Sequence, residues 1–248
     1  MSIHPQLQPA LTQHHALKVI SGLNNFDVQR VAATVRAATA GGATFVDIAA
    51  SPELVQAVRE ITPLPICVSA VEPEKFVAAV DAGADLIEIG NFDSFYAQGR
   101  RFEAEEVLAL TQETRALLPE ITLSVTVPHI LTLDRQVELA EALVDAGADI
   151  IQTEGGTSSQ PQHAGTLGLI EKAAPTLAAA SAISKAVSVP VLCASGLSDV
   201  TVPMAMAAGA SGVGVGSAIN KLDNELAMMA AVRSLVDALG TVQRNTVA

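Results

Sequence analysis

Tryptophan is absent from this sequence of 248 residues, tyrosine occurs once and phenylalanine six times. A core so poor in rings must be assembled from Ala, Val, Ile and Leu. Charge is also scarce. Only 16% of the residues are Asp, Glu, Lys or Arg, and 14 bases face 26 acids, for a net charge of -12. Such a chain lacks the basic surface that nucleic acid or an anionic membrane calls for, so neither is expected as a partner. Cysteine is limited to Cys67 and Cys193, each inside an apolar run, which excludes a disulfide scaffold and fits a reducing, cytosolic-type compartment. No stretch is apolar and long enough to cross a bilayer. The start, Met1-Ser2-Ile3-His4-Pro5-Gln6, has neither the basic beginning nor the apolar run of a signal peptide. The five histidines show no His-x-x-x-His pair with a nearby acid, so no metal site is expected.

What is present is a strong alternation. Half the residues are hydrophobic and the mean hydropathy is +0.40, as expected for a parallel sheet covered all round by helices. Short apolar runs at 17–21, 44–49, 66–70, 86–90, 122–127, 150–154, 191–195 and 212–216 read as strands. Ala-rich periodic segments between them read as helices, with starts at Asp27, Pro52, Pro73, Glu103, Leu133, Pro175, Asp199 and Asp223. Eight βα units in about 250 residues predict an α/β fold of the (β/α)8 TIM barrel type. It would form one domain over 1–248, with 1–15 as an N-terminal extension and 240–248 as a tail.

An internal repeat aligns half of these strands. Gly42-Ala43-Thr44, Gly83-Ala84-Asp85, Gly147-Ala148-Asp149 and Gly209-Ala210-Ser211 each end a helix just before a strand. At the shared offset, Asp47 matches Glu88, Gln152 and Gly214. Strand side chains alternate faces, and an ionised carboxylate pressed against helices would cost several kcal/mol. Asp47 and Glu88 should therefore point inward. With Gln152 and Gly214 they form one interior layer, four side chains from alternate strands, with a gap where the glycine leaves room.

Lys18 lies beside them in the first strand. In so apolar a run it reads as a lysine of lowered pKa, acting as Schiff-base nucleophile, acid/base or carbonyl clamp. The alternative is an ion pair with Asp47 or Glu88 that only neutralises charge. Glu88, among Leu and Ile, is the candidate general base with a raised pKa, and Asp47 its partner. Thr126, Gln152, Glu154 and Asn91 are candidate pocket residues at strand ends. The loop 152–159 reads as a lid or substrate contact, and the loop 91–101, mixing Phe92, Phe95 and Tyr96 with Arg100 and Arg101, as a closing lid with an anion contact. His129 follows the fifth strand and would reach the mouth.

Two glycine-bearing turns close the chain, Cys193-Ala194-Ser195-Gly196-Leu197-Ser198-Asp199 and Gly209 through Ile219. Each is a buried strand breaking at glycine into a helix. Such turns expose backbone N–H groups that hold an anion without a basic side chain. They predict a phosphate site after strands 7 and 8, built on Ser195, Gly196, Gly216 and Ser217.

The segments Lys18-Val19-Ile20-Ser21-Gly22-Leu23, Glu88-Ile89-Gly90-Asn91-Phe92-Asp93, Gln152-Thr153-Glu154-Gly155-Gly156 and Cys193-Ala194-Ser195-Gly196-Leu197 resemble the cyanobacterial and plastid family called hypothetical chloroplast reading frame twenty-three. The resemblance spans nearly the whole chain. It implies an aldolase-type TIM barrel in a cyanobacterial cytoplasm or plastid stroma, and it carries over no catalytic residue. More distantly, the two C-terminal turns are similar to the phosphate cradle of tryptophan- and histidine-biosynthesis barrels, and the 84–90 strand to the base-bearing strand of the tryptophan synthase α subunit. The expected function is a lyase, aldolase or isomerase acting on a small phosphorylated metabolite. A non-catalytic sensor of such a ligand and an FMN oxidoreductase are the alternatives. No cofactor is required by this reading, although the same cradle accepts the FMN phosphate and a hard cation such as Mg²⁺ would fall to Glu154 or Asp47.

Overall fold

The structure is a computed structural model that describes residues 3–155 and 159–246, with backbone only for 241–246. Eight parallel strands close in chain order: β1 (Ala16–Gly22), β2 (Phe45–Ala49), β3 (Ile66–Ala70), β4 (Leu86–Ile89), β5 (Thr122–Thr126), β6 (Ile150–Gln152), β7 (Val191–Ala194) and β8 (Gly212–Val215). This is the (β/α)8 TIM barrel. The described helices are, in chain order, α1 (Gln8–Thr12), α2 (Val28–Gly41), α3 (Pro52–Arg59), α4 (Pro73–Asp81), α5 (Asp93–Tyr96), α6 (Ala104–Leu117), α7 (Leu133–Asp145), α8 (Gly165–Ala186), α9 (Val202–Ala207), α10 (Ser217–Asn220) and α11 (Glu225–Thr246). No helix among the described residues is long and apolar enough to cross a membrane.

The Gly-Ala repeat is the hinge by which even-numbered strands enter the barrel. Gly42, Gly83, Gly147 and Gly209 all lie at φ between 91° and 108°, a region that disfavours any Cβ. The next residue then bonds back to the preceding strand. The amides of Thr44, Asp85, Asp149 and Ser211 donate to the carbonyls of Leu17, Ile66, Leu123 and Val191 at 2.8–2.9 Å. In three of the four the side chain also accepts, Thr44 from Leu17 N, Asp85 from Ile66 N and Asp149 from Leu123 N. Thr44, Asp85 and Asp149 thus each satisfy a strand-start amide that would otherwise be buried unpaired.

Arginines brace two of these positions. Arg59 from α3 pairs with Asp85 and with the carbonyl of Gly83. Arg115 from α6 pairs with Asp149 at 2.8 Å and bonds the carbonyls of Gly147, Leu118, Pro119 and Ile121. Beneath them, Leu7 and Leu11 of the N-terminal segment pack on Ala16, Phe45, Cys67, Leu86, Ile150 and Leu192, so α1 stoppers the lower end of the barrel.

Several element boundaries differ from expectation. α8 begins at Gly165, not at Pro175, which sits inside it. Proline prefers a first turn, but here the helix runs through at the loss of one backbone bond. β6 stops at Gln152, short of Glu154. α9 starts at Val202 rather than Asp199. The segment from 240, expected as a tail, continues α11 to Thr246.

Candidate functional site

Inside the barrel, β1, β2, β4 and β6 converge on one cation. Lys18, Asp47 and Glu88 have no solvent exposure. The Lys18 Nζ donates to Glu88 Oε2 at 2.6 Å and to Gln152 Oε1 at 3.1 Å, and lies 3.5 Å from Asp47 Oδ2. The remaining oxygens are also engaged. Ser69 donates to Asp47 Oδ1 at 2.5 Å, Ser124 to Glu88 Oε2 at 2.8 Å, and Gln152 Nε2 to Glu88 Oε1 at 2.7 Å and Thr126 Oγ1 at 3.2 Å. Asp47, Glu88 and Gln152 thus all face inward, as the repeat alignment required.

The expected gap at Gly214 is not there. A Cβ on Gly214 would meet Ala194 Cβ at 2.9 Å, Ile20 Cδ1 at 3.1 Å and Gln152 Oε1 at 3.3 Å, so neighbouring chains have closed over it. Gly90 is equally committed, with φ 147° and a virtual Cβ 2.2 Å from Thr126 Oγ1.

The electrostatics also correct the sequence reading. Burial alone would lower the Lys18 pKa, but Asp47 and Glu88 outweigh it and hold the amine above its ordinary value. Lys18 is therefore an ammonium, not the lowered-pKa lysine expected. Glu88 accepts from Lys18, Ser124 and Gln152. The Asp47 carboxyl moves up. Burial raises it, Lys18 opposes, and the Glu88 charge adds to the rise, leaving it at about 6. One cation cannot balance two buried carboxylates, and a proton on Asp47 relieves the surplus.

Above this cluster lies a cavity of about 590 Å³. Asn91 connects the two. Its amide approaches Asp47 Oδ2 at 3.5 Å and Glu88 Oε1 at 3.4 Å, and its residue lines the cavity. The turns after β7 and β8 border the same space through Ser195, Gly196, Gly216 and Ser217. Asn91 and Ser195 are two of the three described non-glycine residues with positive φ, at 62° and 75°. Left-handed backbone at such residues costs about 1–3 kcal/mol each and concentrates at functional sites. Arg30 of α2 and Lys221 also line the cavity, and Arg30 donates to the Asn220 carbonyl at 2.6 Å. Sequence reasoning missed both cations because they reach the rim from outside the strand ends.

On the other side of the mouth, Glu154 is not a solvated rim residue. It is 3% exposed and accepts from Tyr96 OH at 2.7 Å, Asp93 N at 3.1 Å and His129 N at 3.2 Å. His129 Nδ1 lies 3.2 Å from Glu154 Oε1 and 3.3 Å from Asp93 Oδ1. Burial raises the Glu154 pKa. For His129 burial lowers it, yet Glu154 and Asp93 leave it above the ordinary value. The anion contact expected of the 91–101 loop does not form at Arg100, which pairs with Glu106 and stacks on Phe102 at 4.5 Å. Gly156, Thr157 and Ser158 of the expected lid lie outside the described residues.

The structural comparisons agree on the fold. The chain is similar to thiamine phosphate pyrophosphorylase from Pyrococcus furiosus, with TM-score 0.61, 18% identity and coverage of 94% of this chain and 98% of that one. It is also similar to (S)-3-O-geranylgeranylglyceryl phosphate synthase from Thermoplasma acidophilum in complex with sn-glycerol-1-phosphate, with TM-score 0.63, 14% identity and coverage of 98% and 100%. At this identity the likeness is one of architecture. Sequence relatives are nearer. "Uncharacterized protein ycf23" of Cyanophora paradoxa is 47% identical over 220 residues, covering 88% of this chain and 90% of that protein. Its namesake in Pyropia yezoensis is 40% identical over 239 residues, covering 96% and 88%. The model of "Protein of unknown function (DUF561)" matches residues 1–245, and the chain belongs to that family.

Proposed function

We propose that this barrel binds a small phosphorylated metabolite in the cavity at its mouth and acts on it as a lyase or isomerase by proton transfer. The observation that carries this reading is the stacking of two unlike sites on one axis. Below is a buried ammonium held by two carboxylates; above is a cavity bordered by the Ser195-Gly196 and Gly216-Ser217 turns, with Asn91 touching both. The turns and the nearby Arg30 and Lys221 would take the phosphate. Lys18, as a permanent cation, would stabilise developing negative charge on a carbonyl oxygen rather than attack it. Asp47, poised at about 6, would carry the proton, with Glu88 fixing the lysine. Schiff-base aldolase chemistry is the less suited branch, since it needs a neutral amine. Both cysteines are free thiols, which suits the cyanobacterial cytoplasm or plastid stroma.

The full burial of Lys18, Asp47 and Glu88 favours a second reading, a non-catalytic sensor in which ligand never displaces Asn91. Native mass spectrometry of protein drawn from its own cell extract tests binding, with a co-purified phosphorylated compound as the expected result. Conversion of that compound on incubation, abolished in Lys18→Met, supports the enzyme. Retention without conversion supports the sensor. If neither the extract nor millimolar inorganic phosphate raises the melting temperature, and Ser217→Glu behaves like the parent protein, both readings fall.

A further inference from the structure

We infer that Asp93, His129 and Glu154 form a site for one divalent transition-metal cation at the mouth of the barrel. The three residues follow β4, β5 and β6, three adjacent strands, and bring one donor atom each close together. Asp93 Oδ1 and Glu154 Oε1 lie 3.3 and 3.2 Å from His129 Nδ1, and all three atoms fall within 4.8 Å of one another. Donors bound at about 2.1 Å on one face of a cation stand roughly 3 Å apart, which matches the two distances from His129 Nδ1. Two carboxylate oxygens and one imidazole nitrogen suit Mn²⁺, Fe²⁺ or Zn²⁺ better than Ca²⁺.

The surroundings are those of a held site rather than of chance acids on a surface. Tyr96 OH donates to Glu154 Oε1, the Asp93 amide to Glu154 Oε2, and Ser195 Oγ to Asp93 Oδ2 at 2.9 Å. Partners of this kind orient metal ligands from behind. The charge count points the same way. Two carboxylates of low exposure share one imidazole. Asp93 lines the same cavity as Ser195 and Gly196. A carboxylate there opposes an anionic ligand, whereas a bound divalent cation cancels the charge of the two carboxylates and leaves open coordination positions. That last role rests on the proposed reading of the cavity; the cation site itself does not.

The test is a titration of the full-length protein with Mn²⁺ and no other ligand, following the loss of the free-ion paramagnetic resonance signal. One Mn²⁺ per chain is expected. His129→Asn and Asp93→Asn should each weaken binding at least tenfold, and Ser195→Ala about tenfold through its partner. His163→Asn, which breaks the exposed His163–Glu171 pair, should change nothing. Absence of Mn²⁺ binding by the folded parent protein overturns the proposal. So does binding that survives both His129→Asn and Asp93→Asn. Should Glu154→Gln fail to fold, Asp93→Asn carries the result alone. The phosphate melting shift, measured without metal, reports separately on the cavity, so either idea can fail without the other.

Discussion

The two ends of this barrel handle charge in opposite ways. At the floor, the two acids that introduce β4 and β6 each have a dedicated partner. Asp85 meets Arg59 and Asp149 meets Arg115, and each carboxylate also caps a strand-start amide. A hollow of about 670 Å³ lies on that side too, lined by Leu11, His14, Pro190 and Gly209 among others, but its one acid, Asp149, is committed to Arg115. At the mouth, Lys18 and His129 are each shared between two carboxylates. Lys18 serves both Asp47 and Glu88, and His129 serves both Asp93 and Glu154. Left-handed non-glycine backbone occurs at both ends, at His14 below and at Asn91 and Ser195 above. Balanced charge holds a fold together. Surplus charge is tolerated where function demands it.

The sharpest way to break this contrast is at the floor. Arg115→Met leaves Asp149 and several carbonyls without their donor. It should cost about 2–4 kcal/mol in urea unfolding, while the phosphate-induced melting shift stays as in the parent. Loss of that shift in a folded Arg115→Met protein would mean that the two ends are not separable.

A middle-sized effect is expected from pH. The Asp47 pKa is near 3.9 unfolded and about 6 folded, so the native state binds its proton more tightly. Its contribution to stability is full below the unfolded value and disappears as pH rises through about 6. Unfolding free energies of the parent and Asp47→Asn, compared from acid to neutral pH, should diverge by on the order of 1–3 kcal/mol. Parallel curves would show that Asp47 does not hold the proton.

The smallest change is Asn91→Gly. It relieves a left-handed residue and removes only long contacts to Asp47 and Glu88, so stability should hold or rise by about 0.5–1 kcal/mol. Affinity for the phosphorylated ligand should fall all the same. A variant both less stable and equally good at binding would identify Asn91 as ordinary packing.

Much of the lower end was legible in the sequence because it is written periodically. A Gly-Ala-X step recurring at similar spacing fixes where strands begin and which way Asp47, Glu88 and Gln152 point. The chemistry of Lys18 was not legible in the same way. Whether its proton is held or released depends on how many carboxylates the closed barrel brings near it, and that number exists only in three dimensions. The group around Glu154 was hidden for a related reason. Asp93, His129 and Tyr96 come from loops with no shared register, and their only signal was a His after β5 and an acid after β4. Pro175 misled because its preference for helix starts is local, while the continuation of α8 is decided by packing along its length.

The stopper at the lower end has a kinetic meaning. With Leu7 and Leu11 seated under β1 to β7, the interior is a blind well, not a corridor. On the proposed enzymatic reading, whatever reached the lysine would have to back out past Asn91 before the next molecule could descend, so departure, rather than bond-making, would be the natural bottleneck for turnover.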